Sequence, residues 1–145
     1  MQSTEILADL IRRKHQLLSQ LRDVGGRQME LVAGGDTASL LKLLAAKQNL
    51  IATLQSVERE MAPFHAEDPD ARVWRTPEDR AMCARQAAEC NALLQEVLRM
   101  EKLSAETMTA RRNEVAEKLQ QVHVAAQVRT AYAAQRTSSD TTTWR

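Results

Sequence analysis

The side chains of this chain that could do acid–base, nucleophilic or metal chemistry stand apart from one another. His15, His65 and His123 are distant in sequence, and none lies three or four residues from another His or Cys, so a metal site has no local support. Glu58 and Glu60, two residues apart, point to different faces of a helix and lack metal-ligand spacing. Cys83 and Cys90 are seven residues apart, two turns along one helical face, too far to bridge within one helix. They read as reduced, half-buried core positions rather than a redox pair. No Gly-rich loop runs into Lys and Ser/Thr to cradle a phosphate, and no nucleophile elbow occurs. These residues predict no catalytic, cofactor or metal site, and not an enzyme.

Charge narrows the partners. The chain holds 20 basic and 19 acidic residues, a formal excess of +1. Such a balance gives weak long-range attraction to phosphate, and no basic stripe with interleaved aromatics appears, so nucleic acid is not an expected partner. Arg12-Arg13 and Arg111-Arg112 sit among acidic neighbours in the sequence and read as solvated helix faces. Met1 to Glu5 lack a basic n-region, and no apolar stretch approaches the roughly 18 residues of a membrane span. The expectation is a cytosolic protein with no stable membrane insertion.

With chemistry sparse, the elements carry the information. Only 3% of the 145 residues are aromatic. A core without aromatic bulk is a thin seam of Leu, Val, Ile, Met and Ala, which suits a bundle or coiled coil better than a globule. Two long apolar-periodic runs meet at Gly34-Gly35-Asp36, and a third, longer run begins at Thr76-Pro77-Glu78-Asp79. The predicted fold is all-α, an elongated antiparallel helical hairpin plus a long third helix, in a three-helix coiled-coil-like bundle. The expected helices cover residues 3–33, 37–62 and 77–134 of a single domain 1–136, with 137–145 a flexible Ser/Thr-rich tail.

The boundaries have local causes. A hydroxyl of Ser3 or Thr4 is expected to cap the first helix. Gly34-Gly35 suits the left-handed end of a helix, and Asp36 then caps the second. Thr76 as N-cap, Pro77 at the first helical position and acidic residues in the first turn start the third. Between helices two and three, residues 63–77 read as a loop in which Trp74 is expected to staple onto the end of the hairpin.

The predicted seam of helix one is Leu7, Leu10, Leu17, Leu21, Val24 and Leu31, flanked by Ile11, Leu18 and Val32, with Lys14 and Gln28 filling gaps. Gly25-Gly26 predicts either a kink or a flat contact with a neighbouring backbone. Helix two offers Leu40, Leu43, Leu44, Lys47, Leu50, Ile51, Leu54, Val57 and Met61, interrupted by Glu58. Lys47 and Gln48 opposite Lys14 and Gln28 are expected to be wet positions that fix register. Helix three carries Cys83, Ala87, Cys90, Leu94, Val97 and Met100 in its first half. The seam positions Glu101, Ser104 and Arg111 that follow argue against core-type burial. A thinner apolar face continues with Met108, Val115, Leu119, Val122 and Ala126.

At Leu17-Leu18 through Gln28, then Leu31, Gly35-Asp36, Leu40, Leu43, Lys47-Gln48, Leu50-Ile51, Leu54 and Glu58, the chain resembles the FlgN family of flagellar export chaperones. The shared pattern is a Leu-rich first helix, a Gln then Leu, a "GD" turn, and a second helix with Lys and paired aliphatics, over about the first sixty residues.

The resemblance implies a cytosolic type III secretion chaperone of flagellum assembly. It would bind C-terminal helical segments of hook-filament junction (hook-associated) proteins and keep them unassembled and export-competent. In that family the client is held largely through the chaperone's C-terminal region, and the tail also engages the export gate. The corresponding client-binding residues here are Met108, Val115, Leu119 and Val122, with Tyr132 as the tail or export-gate contact. The alternative is a structural or adaptor coiled coil in which the same stripe closes a homodimer. Trp74 and Trp144 are not part of the family pattern.

Overall fold

A computed structural model describes the backbone of residues 2–143 and the side chains of residues 2–136. Trp144 and Arg145 lie outside the described residues, as do the side chains of the Ser/Thr-rich segment 137–143. The protein is all-α: α1 spans Ser3–Gly34, α2 Thr37–His65 and α3 Pro77–Thr143, with a 3-10 turn at Pro69–Ala71 and no strand among the described residues. None of the described helices is long and apolar enough to cross a membrane. Two compact units divide the chain, Met1–Ala105 and Glu106–Arg145.

Local chemistry accounts for the junctions. Gly35 takes a left-handed φ of 74° and its N–H donates to the Leu31 carbonyl at 3.0 Å, closing α1. The Asp36 carboxylate then accepts the Ser39 N–H at 3.1 Å and opens α2. Thr76 does the same for α3, its hydroxyl accepting the Asp79 N–H at 3.1 Å ahead of Pro77. The start of α1 differs from expectation. Gln2 is its N-cap and makes no side-chain cap hydrogen bond. The buried Thr4 hydroxyl instead donates to the Val73 carbonyl at 2.8 Å, tying the first helix to the loop before α3.

Two helices outrun their predicted ends. α2 passes through Pro63 to His65, because a proline so near the C-terminus removes one backbone donor without breaking a long ladder. Arg72 consolidates that end, donating to the Phe64 carbonyl at 2.6 Å. α3 reaches Thr143 rather than Ala134, since the residues between include no Gly or Pro and each costs a helix only tenths of a kcal/mol.

In the first unit, α1 and α2 form the antiparallel hairpin and residues 77–105 of α3 contribute the third wall of the core. Leu7, Leu10, Ile11, Leu18, Leu21, Val57, Met61, Cys83, Cys90 and Leu93 form one contiguous buried cluster, with Trp74 and Phe64 packed against it. Trp74 thus performs the stapling expected of it. The buried line of α1 is Thr4, Leu7, Leu10, Ile11, Leu18, Leu21, Gly25, Gln28 and Val32. It lies one position C-terminal to the predicted stripe at three places: Leu18, Gly25 and Val32 are buried, while Leu17, Val24 and Leu31 are half-buried.

Gly25 explains the shift. Helix α1 runs unbroken through Gly25-Gly26, and a Cβ placed at Gly25 would meet Met100 Sδ at 2.9 Å. The missing side chain is the site where α3 comes close, and the contact there is made by the Met100 side chain rather than by a neighbouring backbone. Apolar periodicity passes over this position because glycine has no apolar side chain to count.

Candidate functional site

Three features of the described residues could carry function: a buried polar layer and a cleft in the first unit, and the apolar face of α3 in the second.

The polar layer is drier than predicted. Gln28 is 4% and Lys47 8% exposed, so neither is a wet position. Lys47 Nζ donates to Gln28 Oε1 at 3.0 Å and forms an ion pair with Glu101 from α3. Burial lowers the Lys47 ammonium below its ordinary pKa. Lys14 does not face this group: it pairs with Glu58 at 2.6 Å, nearer the other end of the hairpin, and Gln48 is exposed. Ser104 is 2% exposed with its hydroxyl unpartnered, so the expectation that burial fails beyond Met100 is corrected at Ser104, while Glu101 is half-buried and Arg111 exposed. The small side chain of Ser104 lets α3 remain close to the hairpin one turn past Met100. The layer fixes register, because sliding α3 by one residue would remove Glu101 from Lys47.

The cleft, of about 420 Å³, lies where the loop meets the three helices, with Leu7, Met61, Phe64, Trp74, Cys83 and Cys90 among its walls. Both thiols are free, and burial raises their pKa, which keeps them protonated and unreactive at neutral pH. The cations at its edge are already engaged: Lys14 with Glu58, Arg72 with Glu67 and Arg80 with Asp70. Its walls are the core itself, and it holds no convergent polar constellation. His15 meets Glu89 at 2.9 Å, His65 borders the cleft and His123 is exposed, so no two histidines share a site. Among the described residues no group of three or more His, Cys, Asp or Glu could hold a metal ion.

The α3 face is of another kind. Every described side chain from Ala105 to Arg136 is exposed. Met108, Val115, Leu119 and Val122 are among the large exposed hydrophobics, as are Val124, Val128 and Tyr132. At about 100° per residue, Met108, Val115, Leu119, Val122 and Ala126 fall within about 60° of one another around the axis. They form one stripe; Tyr132 lies outside it, and Val124 and Val128 are on the opposite side. The four predicted client-binding residues therefore share a face and lack cover, and Tyr132 does not join them. Such an apolar line on an exposed helix is suited to pairing with another amphipathic helix.

Comparison of the chain with protein-family models, with curated proteins and with solved structures finds no match.

Proposed function

We propose that this protein is a flagellar export chaperone of the FlgN type. In this reading it binds C-terminal helical segments of hook-filament junction proteins in the cytosol and keeps them unassembled until secretion. The observation that carries the reading is the uncovered line Met108, Val115, Leu119 and Val122 on α3, beyond Ser104, the last buried residue among those described. A client helix laid along that line covers apolar side chains worth roughly 1.5–3 kcal/mol each in gross transfer energy, before ordering costs. The hairpin with its Gly35-Asp36 turn supplies the folded base of the chaperone, and binding rather than catalysis is its activity.

The test is a calorimetric titration with C-terminal segments of the hook-filament junction proteins from the same genome. Saturable one-to-one binding with a negative heat-capacity change is expected. Replacing Val115, Leu119 and Val122 together by Ser should abolish it while the hairpin stays folded. Silence in the titration, with light scattering that reports a dimer disrupted by the same Ser changes, would replace this reading by the homodimeric adaptor.

A further inference from the structure

The charges of α3 sort around its axis in a way that specifies the partner. Between residues 106 and 136 the cations are Arg111, Arg112, Lys118, Arg129 and Arg136, and the acids are Glu106, Glu114 and Glu117. With Met108 and Ala126 at the centre of the apolar stripe, all five cations lie within about 80° of that centre, Arg111, Lys118, Arg129 and Arg136 on one side and Arg112 on the other. All three glutamates lie about 120° or more away. The half of the helix that bears the stripe is therefore wholly cationic in its charges, and the other half wholly anionic. Every one of these side chains is exposed.

We infer that this face takes an acidic amphipathic helix: a partner whose own apolar line, at i, i+3, i+4 and i+7 spacing, is flanked by Asp and Glu. The apolar stripe supplies attraction without selectivity, and the flanking charges choose the partner. A second copy of the chain is a poor occupant. Two such faces laid antiparallel would set the edge that bears Arg111, Lys118, Arg129 and Arg136 against itself, and laid parallel would set that edge against the one that bears Arg112, so neither orientation offers opposite charge. An acidic partner meets opposite charge in either direction. The inference rests on the stripe being a helix-binding surface, but not on the identity of the client.

The experiment uses the full chain and two synthetic helical peptides with identical Leu seams, one flanked by Glu and the other by Lys, compared by fluorescence anisotropy. The Glu-flanked peptide should bind at least tenfold more tightly, and its advantage should shrink as salt rises. The double variant Arg112→Glu with Lys118→Glu, checked for unchanged helicity by circular dichroism, should reverse the preference. Equal affinity for the two peptides, or a preference indifferent to salt and to charge reversal, would overturn the inference. So would uptake by phosphatidylserine vesicles with no binding of either peptide, which would give this face to an anionic lipid surface. The hook-filament junction segments separate the two levels. Their binding with no response to the charge-reversed variant removes this inference and leaves the chaperone reading. Binding of the Glu-flanked peptide alone removes the chaperone reading and leaves this one.

Discussion

At the residue scale, adjacent glycines do opposite work. Gly25 is buried, and its missing Cβ admits Met100; Gly26 is half-buried with nothing within 4 Å of where a Cβ would stand. Neither has a positive φ, so each is an ordinary helical position carrying the entropic cost of glycine. Gly26→Ala should therefore stabilise the protein by about 0.5–1 kcal/mol. Gly25→Val should destabilise it by about 1–3 kcal/mol, because branched bulk is forced onto Met100 at a packed helix contact. Urea unfolding of the two variants checks both signs. Two destabilised variants would mean that Gly26 has a packing role that its open surroundings do not show. Lys47 and Ser104 are buried as well, Lys47 in an ion pair with Glu101 and Ser104 with a small side chain.

At the element scale, helix ends carry a pH signature. The Asp36 carboxyl is held below its ordinary value of 3.8, chiefly by the Ser39 N–H that it accepts. Its folded pKa is thus lower than its unfolded one. The stabilisation of the α1–α2 turn is complete above the unfolded value and is lost as pH falls through the depressed folded value. Asp36→Ala should lower the melting temperature at neutral pH, and the difference from the parent protein should close in strong acid. Thermal melts across that range check it; a constant difference down to the lowest pH would place the effect in something other than the ionised cap.

At the scale of the whole molecule, the two units differ in kind. The first holds every buried residue among those described, from Thr4 to Ser104, and the second, through Arg136, exposes all of its described side chains. A chain ended at Ala105 should therefore unfold cooperatively with a midpoint within a few degrees of the full chain, and it should lose binding to helical partners. An isolated peptide of 106–145 should be only partly helical in water, since its described side chains, through Arg136, are all exposed. Circular dichroism of the two fragments decides this. A truncated chain that melts far below the parent would show that residues after Ala105 contribute to the core.

Much of this protein was written locally in its sequence: the all-α class, the hairpin, its turn at Gly35-Asp36, the Thr76-Pro77 start, and the shared face of Met108, Val115, Leu119 and Val122. Caps, turns and helical periodicity involve residues a few positions apart, so they need no knowledge of the rest of the chain. The charge sorting on α3 was legible as well, though only around the helix axis; along the sequence, Arg111-Arg112 sit among acidic neighbours. Tertiary structure alone decided that Gly25 and Ser104 are buried and that Thr4 reaches Val73. It also decided that Leu93 belongs to the core and that Lys47 is paired with Glu101 rather than solvated by water. Each of these depends on the register of one helix against another, which is set by the summed fit of many side chains and is not encoded near any one of them.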